Sequence, residues 1–200
     1  MVGEHHWAFG ELKAGAYSVI LADPPWTFKT YSDKEIGKSP QAQYACMDLA
    51  AIQALPVAEL SKPDAVCVMW ATAPMLPQAV ETMARWGFIY KTAGAWAKQS
   101  KTGHKMAFGT GYIFRSAAEF YLVGTRGKPV TRARNVRNLI LAPVREHSRK
   151  PDRMRSDVEA LWDGPYCELF AREASPGWDT FGNEVARFAG TADNKKEGVA

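Results

Sequence analysis

Tyr17-Ser18-Val19-Ile20-Leu21-Ala22 runs without a break into Asp23-Pro24-Pro25-Trp26. The first six residues form a short, nearly continuous apolar run, the pattern of a parallel strand covered on both faces. The next four end it, because proline has no N–H to give a ladder and restrains the residue before it. The acid and the two prolines therefore sit at the carboxyl end of a buried strand. Residues 65–71 (AVCVMWA) repeat the pattern, and 88–96, 119–124 and 166–171 read as further strands. Helical spacing marks 48–60 (Leu49, Ile52, Leu60) and 74–86 (Leu76, Val80, Met83, Trp86, closed by Gly87), and 151–162 starts near a proline. Alternation of this kind predicts a doubly wound α/β sheet. In such sheets ligands gather in the loops that follow the strands, here the loops beginning at Asp23 and near Arg172.

The chain of 200 residues, 46% hydrophobic and 23% charged, is long enough for one well-buried domain and too short for two of ordinary size. A single domain over residues 1–188 is expected, with 189–200 as a frayed polar tail. Residues 1–10 lack the apolar core of a signal peptide and no apolar run reaches membrane-spanning length, so a cytoplasmic location and no membrane partner are expected. Cys46, Cys67 and Cys167 lack metal or redox spacing and read as buried thiols, and His5 and His6 have no ligand-spaced partners, so no metal is assigned. Residues 126–155 hold ten Lys or Arg against two acids. One reading is a solvated basic face. The other is a phosphate-binding surface, favoured by the density of arginine, whose planar fork matches phosphate geometry.

Asp23-Pro24-Pro25-Trp26 suits a primary amine on an aromatic ring. The Asp23 carboxylate only accepts hydrogen bonds, and the Pro24 carbonyl is a second acceptor in a stiff segment without an N–H on either proline. Two fixed acceptors match a group with two hydrogens. Trp26 offers a face for a stacked base, worth roughly 1–3 kcal/mol, comparable with the few kcal/mol needed to unstack one, so backbone contacts must add the rest. The alternative is a rigid turn with an anchoring tryptophan.

Together with Gln43-Tyr44 and Met47, 68–70 (VMW), 86–88 (WGF), 96–98 (WAK), Glu119 leading into 122–124 (LVG), 147–152 (HSRKPD), 168–172 (ELFAR) and 177–184 (GWDTFGNE), the motif resembles the DPPW-type adenine-N6 methyltransferases. That family includes the catalytic subunit of the eukaryotic messenger-RNA adenosine methyltransferase and its bacterial and phage relatives. The resemblance implies a Rossmann-like class I S-adenosylmethionine-dependent methyltransferase fold in permuted order, with the catalytic motif before the cofactor-binding strand. It implies a catalytic Asp23-Pro24-Pro25-Trp26, with Tyr44 as a second wall for the target base and Trp96 and Lys98 beside the substrate. The strand holding Glu168 would bind S-adenosylmethionine, with Arg172, Asn183 and Glu184 on the ribose hydroxyls and Lys150 facing the cofactor carboxylate. The plainer readings are a Glu168–Arg172 ion pair, a surface Lys150 and a core Tyr44. The acid that family members often carry shortly before the catalytic strand has no clear counterpart beyond Glu4.

The run Lys101, His104 and Lys105 before Gly109-Thr110-Gly111 reads as a loop able to close over substrate. The expected function is methyl transfer to the exocyclic amine of adenine in nucleic acid, DNA rather than RNA, by a homo-oligomer or with a partner subunit. The rivals are a catalytically silent nucleic-acid-binding subunit and an amino methyltransferase acting on cytosine N4 or a protein amide.

Overall fold

The computed structural model describes residues 7–26, 47–111, 113–146, 148–183 and 185. Tyr44, Cys46, Glu184 and the expected tail at 189–200 lie outside the described residues. Seven strands form one sheet: β1 (Tyr17–Ala22), β2 (Ser61–Ala71), β3 (Ile89–Gln99), β4 (Ala118–Arg126), β5 (Leu139–Pro143), β6 (Tyr166–Leu169) and β7 (Trp178–Phe181), in the order β5-β3-β4-β2-β1-β6-β7. All pairings are parallel except those of β4, which runs antiparallel to both β2 and β3.

Strand alternation splits the core into two layers. Ile20, Ala22, Cys67 and Met69 face one side, where they meet Ile52 of helix α1 (Leu49–Gln53) and Ala79 and Met83 of α2 (Leu76–Arg85). Val19, Leu21, Val66, Val68 and Trp70 face the other, against Met154 and Val158 of α3 (Arg153–Leu161). Each large apolar side chain removed from water on either face contributes about 1.5–3 kcal/mol. Helices on both faces make the sheet doubly wound, as the sequence predicts. No helix among the described residues is long and apolar enough to cross a membrane.

Several expected boundaries move for identifiable reasons. The helix expected over 48–60 stops at Gln53, and a separate 3-10 turn covers Val57–Glu59, because Pro56 lacks the N–H that would carry the helix through. β2 starts four residues early, and its register with β1 slips between Tyr17 and Val19, opposite the stretch holding Pro63. β6 ends at Leu169 instead of 171, because Phe170 takes a positive φ of 61°. β5 and β7 were not expected. Gly87, at φ 82°, closes the chain after α2 as the sequence suggests.

Candidate active site

The orientation of β4 shapes the site. β1, β2, β3, β5 and β6 end at one sheet edge, and antiparallel β4 begins there, with Glu119 paired to Trp96. That edge collects Asp23 after β1, Thr72 after β2, Lys98 near the end of β3, Glu119, Arg145 after β5 and Arg172 after β6. Two adjoining clefts open among them. The larger, about 900 Å³ including its open mouth, is bordered by Asp23, Pro24, Trp26, Trp96, Lys98 and Glu119 among others. The smaller, about 400 Å³, lies toward β6 and is bordered by Leu21, Trp70, Met154, Arg155, Glu168 and Phe170. Asp23, Ser148, Arg149, Lys150 and Arg172 border both.

A line of alternating charge runs through the shared wall. Lys150 Nζ lies 3.0 Å from Asp23 Oδ2 and 2.8 Å from Glu119 Oε1, and Lys98 Nζ lies 2.7 Å from Glu119 Oε2. Arg172 approaches Asp23 Oδ2 at 3.8 Å. Burial works against the Glu119 anion, but the ammonium groups of Lys150 and Lys98 outweigh it and hold the carboxyl down to about 2. Burial likewise opposes charge on Lys150, and Asp23 and Glu119 outweigh it, raising its pKa above the ordinary value. Both partners therefore stay charged through the neutral range.

Pro24 and Trp26 differ in part from expectation. The Trp26 N–H donates to the Pro24 carbonyl at 2.8 Å, so one of that oxygen's two acceptor positions is taken and one remains. In place of an open stacking platform the structure shows an anchored ring: Trp26 is 5% exposed, and its indole N–H donates to the Trp70 carbonyl at 2.9 Å. Trp96 is 4% exposed and donates to the Ala142 carbonyl, and Lys98 Nζ lies 4.9 Å from its ring centre. Both rings border the larger cleft while facing mainly into protein. Tyr44, the proposed second wall, lies outside the described residues.

On the cofactor side, the possible Glu168–Arg172 pair is replaced by Glu168 with Arg155, at 2.8 Å. Burial raises the Glu168 carboxyl pKa despite the opposing pull of Arg155. Lys150 is an interior ion-pair member instead of a surface lysine, with 18% of its side chain exposed. Asn183 is exposed and borders neither cleft. Phe170, held at φ 61° with its ring against the core, turns the chain after β6 toward Arg172. Non-glycine residues adopt this geometry only at a cost, and it clusters at functional sites.

Folding splits the dense arginines of 126–155 into a paired set and two exposed ones, Arg134 and Arg137. Arg132, Arg145, Arg149, Arg153 and Arg155 all pair with carboxylates, and Arg126 donates to the Ala58 carbonyl and the Ser61 hydroxyl. Glu119, Arg149, Arg155 and Glu173 escaped the sequence reading as site residues. Glu119 could have been flagged as an acid opening an apolar strand, but its arrival at this edge depends on β4 being antiparallel. Among the described residues no cluster of His, Cys, Asp and Glu could hold a metal.

The profile of the MT-A70 family matches residues 17–184, which span every strand and both clefts. The chain belongs to the MT-A70 family. It is 33% identical to the type II methyltransferase M.MunI of a Mycoplasma species, over 94% of this chain and 84% of that protein. It is 28% identical to the human N(6)-adenine-specific methyltransferase METTL4, over 86% of this chain and 38% of that protein. It is 26% identical to the human N(6)-adenosine-methyltransferase catalytic subunit METTL3, over 86% of this chain and 28% of that protein. The fold is thus the Rossmann-like methyltransferase fold of the MT-A70 family, with Asp23-Pro24-Pro25-Trp26 ahead of the strand that carries Glu168.

Proposed function

We propose that the chain is an S-adenosylmethionine-dependent N6-adenine methyltransferase acting on nucleic acid, DNA in preference to RNA. The observation that carries this reading is Asp23 at the carboxyl end of a central strand, on the wall shared by two clefts, with Lys150 and Arg172 beside it. One cleft suits the cofactor and the other the base. The preference for DNA draws support from M.MunI, a type II methyltransferase covered over most of its length, whereas METTL3 carries the matching region as about a quarter of a longer chain.

The donor set fits the cofactor. Lys150 and Arg172 offer cations to its carboxylate, and Asp23 and Glu168 offer acceptors to its ammonium and hydroxyl groups. When bound, S-adenosylmethionine supplies an electrophilic methyl group on positively charged sulfur. The chain's own part is positioning. Asp23 and the unused acceptor position of the Pro24 carbonyl hold the two amine hydrogens, leaving the nitrogen lone pair free of the ring. Asp23 can take one of those protons as the new bond forms. Orientation of this kind accounts for roughly 7–11 kcal/mol of a barrier in favourable cases. To receive a ligand amine, Asp23 must loosen its contact with Lys150, which retains Glu119 as a partner.

Incubating the purified chain with methyl-labelled S-adenosylmethionine and DNA or RNA, then digesting to nucleosides, tests the proposal. N6-methyladenine in the DNA digest is expected, and Asp23→Ala should lower its formation by at least about 10²–10³-fold, the cost of losing one fixed polar contact in an active site. Label in N4-methylcytosine would move the target, and no label from either polymer would leave the chain a silent binding subunit.

A further inference from the structure

The loop joining β3 to β4, residues 100–117, is used by neither cleft, yet both its arms are pinned to a cleft residue. The Lys98 N–H donates to the Ala117 carbonyl at 2.8 Å, and the Lys98 carbonyl accepts the Ala107 N–H at 2.8 Å. Ser100 N–H donates to the Lys105 carbonyl at 2.7 Å, and Gly109 N–H donates to the Ser116 carbonyl at 2.9 Å. The backbone is therefore closed on itself at two levels, while three of its apolar side chains stand out in solvent. Phe108 is 78% exposed, Ile113 89% and Phe114 86%, the largest apolar exposures among the loop's described residues. Between Ser100 and Ala117 there are Lys101, His104, Lys105 and Arg115 and no acid, and the Arg115 guanidinium lies 4.9 Å from the Phe108 ring centre.

Bulky apolar side chains held out in water on a self-bonded loop need a partner that covers them. Basic residues interleaved with them, and no acid, select a polyanion. A base stack offers apolar layers about the thickness of such side chains between rows of phosphates, and architectural proteins use Phe, Leu or Ile to pry base steps apart in this way. From the proposed function above, the target adenine must leave the duplex before its amine can reach Asp23. The buried Trp26 and Trp96 give that base no broad exposed ring to stack on, which places more of the unstacking work elsewhere. We infer that the described residues of this loop, 100–111 and 113–117, form a wedge that enters double-stranded DNA, with Ile113 and Phe114 displacing the stack beside the target base and Lys101, Lys105 and Arg115 on the flanking phosphates. Its attachment to Lys98 puts the wedge at the mouth of the larger cleft.

The test compares the full chain with Ile113→Ala/Phe114→Ala, two exposed positions whose loss leaves the core untouched. The first readout is fluorescence of mixed-sequence DNA duplexes carrying 2-aminopurine, which brightens when unstacked and needs no turnover. The second is methyl transfer to mixed-sequence duplex DNA and to the same DNA heat-denatured. The expected result is brightening by the wild-type chain and little by the variant, with transfer to duplex falling at least about tenfold, about 1.4 kcal/mol, and transfer to denatured DNA within about twofold. Brightening without any transfer would sink the proposed reaction and leave the wedge standing. Binding without brightening, no binding to duplex, equal losses on both DNA forms, or a shift of the variant alone to a smaller species in sedimentation would overturn the wedge, the last by showing the loop to be a protein contact.

Discussion

Asp23, Lys150, Glu119 and Lys98 form a chain of two positive and two negative charges, each within 3.0 Å of the next. Removing one member of such a set leaves its neighbours uncompensated, which costs about 3–5 kcal/mol in buried pairs. Lys150→Met is expected to lose stability of that order at neutral pH in urea unfolding; a loss below about 1 kcal/mol would show the line to be solvent-screened. The pH dependence has a definite sign. Because the Glu119 pKa falls from 4.5 to about 2 on folding, its contribution is present above pH 4.5 and disappears as pH drops toward 2. The raised Lys150 pKa contributes below its ordinary value and is lost only on the alkaline side. Glu168, raised by burial, has the opposite sign to Glu119 and gains on acidification. Lys150→Met should therefore flatten the acid limb of the unfolding midpoint, and an unchanged limb would assign that limb to other carboxylates. Trp26→Phe separates anchoring from stacking: it keeps a ring and deletes the bond to the Trp70 carbonyl. A stability loss of about 1–3 kcal/mol is expected from the unsatisfied acceptor; an unchanged midpoint with weakened DNA binding would restore the stacking role.

At the level of elements, β1 was legible to the residue, because six apolar residues closed by an acid and two prolines admit few other readings. α2 was also legible, from its apolar spacing and Gly87. β5 and β7 are short strands at the two edges of the sheet, and β5 sits between arginines that draw attention to charge. The turn after β6 depends on an approach that no pattern signals. A Cβ on Gly182 would lie 2.5 Å from the Ala171 carbonyl oxygen and 2.7 Å from its nitrogen, and the Ala171 N–H donates to the Phe181 carbonyl at 3.1 Å. Gly182→Ala must push backbone, and the segment displaced carries Arg172. Affinity for S-adenosylmethionine measured by calorimetry is expected to fall about tenfold, or about 1.4 kcal/mol. Unchanged affinity would mean that the turn relaxes without moving Arg172.

Over the whole molecule, the clefts are assembled from the end of β3, the start of β4 and the segments that follow β1, β5 and β6, so a ligand there ties together distant parts of the chain. At a hundred times its Kd, S-adenosylmethionine should raise the unfolding free energy by about 2.7 kcal/mol, and Arg172→Ala should lose most of that gain at the same concentration. A gain equal to wild type would remove Arg172 from cofactor binding. The basic segment 126–155 shows what charge read along a sequence leaves out: most of its arginines meet carboxylates such as Asp163, Glu168 and Glu173, which folding brings to them. The sequence by itself determined the alternation of buried strands and helices, the stop at Asp23-Pro24 and hence the edge where chemistry gathers, because apolar period and proline sterics act over a few residues. The pairing of Lys150 with Asp23 and Glu119, the seating of Trp26 inside the core and the delivery of Glu119 by an antiparallel strand were decided only by the tertiary structure. Strand direction and charge partnership depend on contacts between residues far apart in the chain, which no local pattern encodes.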